Sequence, residues 1–311
     1  MLLHIGLHKT GTTWLQVHLF RDSVVGFANL FSPAELNHLM IYTPTFGYDG
    51  ESVRAEIERR SEEARSRGLY PVISNERFSG SPEHGGHDSQ YVADRLKQLV
   101  PDARVLIVIR EQKSMALSFY KQYIWTGGHL ALKYYLRPSS DSHGEMFLIE
   151  QLEYDRVIAY YQKLFGRENV CVLAYELFRQ SPAAYVSAIA QFCGLSLPAD
   201  APVTTLYKER TNRSLSPFQT RVTKHLNFWF GTQKQLRHGI LPLLHFKQVK
   251  KMRRYTHKIE RRLPERYKQS LEAKAVREIE VTFGHRFQQS NAETVRLTGL
   301  DLKAFGYDLP E

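Results

Sequence analysis

Leu2-Leu3-His4-Ile5-Gly6-Leu7-His8-Lys9-Thr10-Gly11-Thr12-Thr13-Trp14 opens the chain with a short apolar run, a loop bounded by glycines and the start of a helix. Small residues in such a strand–loop–helix turn let backbone N–H groups converge on an anion, and the helix start adds its dipole. Lys9 brings a point charge, while Thr10, Thr12 and Thr13 bring hydroxyl donors. A phosphate-type ligand at this turn is expected ahead of an ordinary strand–helix connection.

Outward from the turn, strands and helices alternate. Thr12–Phe20 starts a helix, Glu51–Arg67 reads as a charged helix stopped by Gly68, and Tyr70–Ser74 as a second strand. Asp88–Val100 has helical periodicity. Arg104–Ile109 (RVLIVI) is the strongest strand, because an unbroken β-branched and apolar run suits a parallel sheet covered on both faces. Ser114–Trp125 follows as a helix ended by Gly127-Gly128, then Glu145–Phe165 as a long amphipathic helix, Asn169–Ala174 as a buried strand and Ala183–Phe192 as a helix. This alternation predicts an α/β fold, three-layered and P-loop-like, with a central parallel sheet flanked by helices. A basic helical C-terminal elaboration follows. One domain over 1–311 is expected: an α/β core over 1–195, basic helices over 196–290, and a tail over 291–311 whose apolar residues pack back.

The 311 residues carry 42 Lys+Arg against 32 Asp+Glu, and the excess sits in one place. Leu215–Ser270 holds 14 basic and two acidic residues, a net +12, so the rest of the chain is at −2. An anionic partner met by 215–270 is expected, whether acidic glycan or a lipid surface reached peripherally; no nucleic-acid motif accompanies it. No apolar run reaches the ~20 residues of a membrane span. His4, His8 and Lys9 fall where a signal peptide would be apolar. With two cysteines, Cys171 and Cys193, no disulfide framework is expected. These features point to a soluble, cytoplasmic protein, with membrane-peripheral contact open to the basic segment.

Gly6 and Gly11 keep the GxxxxG spacing of a Walker A loop, but Thr12-Thr13 stands where that motif has Lys-Ser/Thr; the lysine has moved inside the loop. The run Lys9–Gln16 (KTGTTWLQ) resembles the 5′-phosphosulfate loop of the sulfotransferases that use 3′-phosphoadenosine 5′-phosphosulfate (PAPS). That family's second signature is an Arg at the end of a buried strand with a Ser eight residues on. Arg110 ends RVLIVIR and Ser118 lies at that spacing. A strand-end guanidinium can fork onto a phosphate, and a helix hydroxyl completes the cradle. The family usually carries Pro shortly after this Arg, where this chain reads Arg110-Glu111-Gln112. NVCVLAYELF resembles the segment whose Tyr approaches the adenine, which carries Tyr175 over, with a core aromatic as the equal alternative. Arg210–Ser214 resembles the stretch that closes over the nucleotide, which makes Arg213 a 3′-phosphate candidate.

The resemblance implies sulfonate transfer from PAPS, with no metal, to a hydroxyl of a carbohydrate or glycolipid. It implies Lys9 as stabiliser of the leaving phosphate, Lys9, Thr10, Gly11, Thr12, Thr13, Trp14, Arg110, Ser118, Tyr175 and Arg213 as nucleotide contacts, and Glu76 as base. Glu76 also falls at the carboxyl end of a strand, where active sites of open α/β sheets lie. His8, His84, His87 and His129 compete for the base role; His84-x-x-His87 has metal-like spacing but lacks further ligands nearby. Two other functions fit less. A P-loop kinase needs an Asp at the end of the buried strand that here ends in Arg110, and a non-catalytic polyanion binder using 215–270 leaves the Lys9–Thr13 loop unexplained.

Overall fold

The computed structural model describes residues 1–21, 25–83, 85–137, 147–197, 214–232, 237–238 and 255–311. Five strands, β1 (Leu2–Gly6), β2 (Phe27–Asn29), β3 (Tyr70–Asn75), β4 (Arg104–Ile109) and β5 (Val170–Ala174), form one sheet in the order β2-β3-β1-β4-β5. All four pairings are parallel. The expected central parallel sheet flanked by helices is therefore present.

The reason lies in β1 and β4. Leu2, Leu3, Ile5 and Val105 through Ile109 are fully buried, so both faces of these strands need cover. Leu2, Val72, Leu106, Val108 and Leu173 pack with Trp14, Leu15, Leu19, Tyr185, Val186 and Ile189. The alternate residues turn to the other face, where Tyr154–Phe165 packs on β4 and β5 and buries Ile158, Tyr161 and Phe165.

Two differences from the sequence reading have local causes. The helix expected over Glu145–Phe165 is Tyr154–Phe165, preceded by a separate 3₁₀ turn, Ile149–Leu152, with Glu153 in a non-helical conformation between them. Its amphipathic pattern hides this break because Leu152 and Tyr154 are both buried, on either side of it. Strand β2 has no counterpart among the strands expected from the sequence. At three residues it is too short to show a period, and it is held by register with Tyr70–Val72.

The chain forms two compact units. The first is Met1–Glu111, Gly144–Thr211 and Phe287–Glu311; the second is Gln112–His143 and Asn212–Arg286. The first contains the whole five-stranded sheet. In it Leu302 and Tyr307 of the C-terminal segment are buried, and Asn291 donates to the Asp308 carbonyl at 2.8 Å. The second groups the helix Gln112–Thr126 with Pro217–Phe230 and Glu265–Phe283, which pack on one another. Among the described residues no helix is long and apolar enough to cross a membrane.

Candidate active site

The strand order decides which loops meet. Because β1 lies between β3 and β4, the segments leaving their carboxyl ends are neighbours: the Leu7–Gly11 loop, the turn Glu76–Ser79, and Arg110. The chain passes from β1 to one side of the sheet and then, through β4, to the other, which makes β1 a switch point where ligands bind in open α/β sheets.

The loop is tightly specified. A Cβ on Gly6 would collide with the Thr12 side chain. Gly11 has φ 88°, and a Cβ there would lie 3.3 Å from the Tyr175 ring. Lys9 adopts φ 68°, a left-handed conformation uncommon outside glycine, which turns the backbone about the loop. The Thr10 hydroxyl donates to the Leu7 carbonyl at 2.5 Å and is spent inside the loop. Thr12 is buried, and its Oγ1 has no hydrogen-bond partner among the described residues, where buried hydroxyls normally have one. Thr13 is partly exposed. Trp14 turns into the core against Phe178, ring centroids 4.7 Å apart.

Glu76 follows β3 directly. The Asn75 side chain accepts from the Arg77 amide at 2.9 Å, and the Ser79 hydroxyl donates to the Glu76 carbonyl at 2.9 Å and the Gly6 carbonyl at 3.3 Å, which ties this turn to the end of β1. His8 Nδ1 lies 3.7 Å from Glu76 Oε1. Burial raises the Glu76 carboxyl above its ordinary value, opposed by the cations Lys9 and Arg77. Burial lowers the Lys9 ammonium, with Glu76 opposing and Arg110 adding to the effect. His8 is pushed down to about 4, first by burial and then by Arg77. It is therefore neutral near pH 7, and its approach to Glu76 is not an ion pair. Arg77 is taken up by Asp88, Nη2 to Oδ2 at 3.1 Å, and its guanidinium carbon lies 6.0 Å from the ring centroid of exposed Tyr42.

Arg110 donates from Nη1 to the Lys9 carbonyl at 3.0 Å, and its guanidinium carbon lies 5.0 Å from the Tyr175 ring centroid. Tyr175 begins the helix Tyr175–Gln180 directly after β5. Lys9, Gly11, Thr12, Glu76, Arg110 and Tyr175 are thus brought together within the first unit. Ser118 belongs to the second unit, buried on Gln112–Thr126, as does partly buried His129. His87 is exposed on the loop before Ser89–Leu99. Arg213 and His84 lie outside the described residues.

Three residues that carry no motif hold Arg110 in place. Buried Tyr154 donates to the Arg110 carbonyl at 2.6 Å. Glu176 accepts the Glu111 amide at 3.1 Å and the Tyr307 hydroxyl at 3.4 Å. The Glu111 amide is a donor that a proline at this position would lack. A clue to Glu176 was its place beside Tyr175; nothing local announces Tyr154 or Tyr307, whose partners are remote in sequence.

A sulfotransferase domain model matches residues 2–290. No curated protein matches the chain. Among solved structures, a sulfotransferase from Alicyclobacillus acidocaldarius is 18% identical over 73% of this chain and 92% of its own, with a TM-score of 0.47. The sulfotransferase domain from the curacin biosynthetic pathway is 11% identical over 68% of this chain and 78% of its own, at 0.39. Mouse sulfotransferase SULT7A1 complexed with PAP is 13% identical over 69% and 68%, at 0.37.

Proposed function

The chain belongs to the sulfotransferase family, and on that premise we propose that it moves sulfonate from PAPS to a hydroxyl of a carbohydrate or glycolipid acceptor. The observation that carries this reading is the meeting of Lys9, Glu76 and Arg110 at the ends of three adjacent parallel strands, with Arg110 bonded to the Lys9 carbonyl at 3.0 Å.

The residues present fit the nucleotide. Thr12 Oγ1 is buried without a partner among the described residues, a Cβ at Gly6 would run into that hydroxyl, and Arg110 brings a guanidinium of the kind that suits a phosphate. In this reading the loop Lys9–Trp14 takes the 5′ end of the nucleotide, Arg110 its 3′-phosphate and Tyr175 its adenine, all from the first unit. PAPS, when bound, supplies an activated sulfonate. Lys9, partly stripped of water, neutralises charge on an anionic oxygen at the loop more strongly than a solvated ammonium would. Glu76 accepts the proton of the acceptor hydroxyl. Its burial-raised affinity for protons makes it a better base than an exposed carboxylate, and the Lys9 charge keeps it ionisable. Neutral His8 flanks it without competing for that proton. The exposed Tyr42 ring near Arg77 offers a flat face for a sugar.

Thermal stability with 3′-phosphoadenosine 5′-phosphate, compared with ATP and with and without Mg²⁺, tests this. At ~100 times Kd the 3′-phosphorylated nucleotide adds about 2.7 kcal/mol, a rise of roughly 4 °C for a chain of this size, without metal. A rise with Mg·ATP alone, or with neither nucleotide, overturns the reading.

A further inference from the structure

The helix Pro217–Phe230 is inverted near its C-terminal end. Its inward positions are polar, with Thr220, Thr223 and Asn227 buried. Its outward stripe is Arg221, His225, Phe228 and Trp229, at i, i+4, i+7 and i+8, all exposed. Phe228 keeps 43% and Trp229 45% of its surface in contact with solvent. Helices of soluble domains turn their large apolar side chains inward, so an outward pair of adjacent rings marks a contact surface.

Asn227 explains the orientation. Its amide donates to the Ile124 carbonyl at 2.8 Å and the Gly128 carbonyl at 2.7 Å. These belong to the end of the helix Gln112–Thr126 and the glycine turn beyond it, where carbonyls lack intrahelical donors. With Asn227 fixed inward, the next two residues face out. The same contact gathers further apolar surface, since the His129 ring meets Phe228 at 5.9 Å and Leu130 is 40% exposed. The Lys133 ammonium lies 4.6 Å from the ring centroid of exposed Tyr134.

The charge of this unit is one-sided. Residues 112–143 and 212–286 carry 22 Lys+Arg and six Asp+Glu, a net +16, against −6 for the remaining chain. Positive charge is crowded on the helix itself: Lys224 is lowered by burial and then by Arg221, and His225 by burial, Lys224 and Arg221, with Glu278 opposing and Lys274 adding at Lys224.

We propose that this aromatic tip docks on an anionic lipid bilayer, with Phe228, Trp229 and Leu130 entering the headgroup–acyl boundary and Arg221, Lys224, His225 and Lys133 facing lipid phosphates. Rings flanked by cations suit the interface, where the ring is dry and the charge wet. Leu130 favours lipid over an acidic sugar polymer, because an aliphatic side chain gains from hydrocarbon and offers no face to stack on a pyranose. This surface uses none of the residues of the Lys9–Glu76–Arg110 cluster, so it stands or falls independently of sulfonate transfer.

The chain reports on its own docking. Of its three tryptophans, Trp14 is buried in the sheet unit, whereas Trp125 and Trp229 are exposed in the second unit. The full-length protein is mixed with vesicles of phosphatidylcholine alone or with phosphatidylglycerol, and sedimentation and tryptophan emission are read together. The expected result is co-sedimentation and a blue shift with the anionic vesicles only. The double variant Phe228→Ala, Trp229→Ala is expected to weaken partitioning roughly tenfold or more, and Arg221→Ala and Lys224→Ala about fivefold each, all with unchanged circular dichroism. Sedimentation without a blue shift, or wild-type partitioning by the double variant, overturns insertion. Binding of a heparin fragment with no partitioning into anionic vesicles assigns the surface to acidic glycan and overturns the lipid reading.

Discussion

Lowering the pH should destabilise this protein through a histidine that the sequence hides in its first strand. His4 is fully buried on β1, its Nδ1 2.8 Å from the Ser74 hydroxyl and its ring edge-on to Phe20. Burial pushes it from 6.5 to about 3. The unfolded chain therefore binds a proton that the folded chain refuses, and stability falls as pH drops below about 6.5, levelling off near 3. Between about pH 7 and about pH 5 the loss from His4 alone is about 2 kcal/mol, with a similar amount from His8. Glu76 and Glu176, raised by burial, bind extra protons in the fold and pull the other way. A variant isolates the histidine. His4→Leu keeps the volume apolar and leaves the Ser74 hydroxyl its bond from Gln16 Nε2 at 3.2 Å. Urea unfolding of both proteins, followed by circular dichroism at the two pH values, should show the variant gaining about 2 kcal/mol on the wild type from the higher to the lower pH, or ~3 °C in a thermal scan. Parallel pH dependences would refute a neutral, desolvated His4.

Lys9→Ala is expected to lower kcat about 10²–10³-fold with the fold intact, as loss of a charge-stabilising donor does; steady-state kinetics at an unchanged rate would reject its role. Glu76→Gln should lower kcat while the nucleotide product binds as before, and the acid limb of the wild-type kcat profile should lie above the ordinary carboxylate range, because burial outweighs Lys9 and Arg77. A limb at the ordinary value contradicts that environment. Arg110→Ala should weaken nucleotide-product binding by roughly 10–100-fold in calorimetry, the loss of a charged hydrogen bond, with little change in kcat at saturation. Gly11→Ala should lower both nucleotide affinity and Tm, since φ 88° strains alanine and its methyl group meets the Tyr175 ring.

Local pattern made much of this molecule legible. Val105–Ile109 reads as a strand buried on both faces because an unbroken β-branched run has few other uses, and all five side chains are fully buried. The Gly6–Thr13 loop is legible as a glycine-bounded turn between strand and helix, which is the basis for proposing an anion there, and Arg110 is visible as a cation at a strand end. What the sequence could not hold was which strand lies beside which. Lys9, Glu76 and Arg110 are strung over about a hundred residues and become neighbours only because β1 enters between β3 and β4. The same holds for Tyr154, Glu176 and Tyr307, which steady the Arg110 turn from distant segments, and for His4 and His8, whose neutrality comes from burial by parts of the chain they do not adjoin. The inverted face of Pro217–Phe230 likewise needed the Ile124 and Gly128 carbonyls to turn Asn227 inward. Sequence sets what a segment can do through its own dihedrals and polarity, whereas desolvation and charge depend on what packs against it, and only the tertiary structure supplies that.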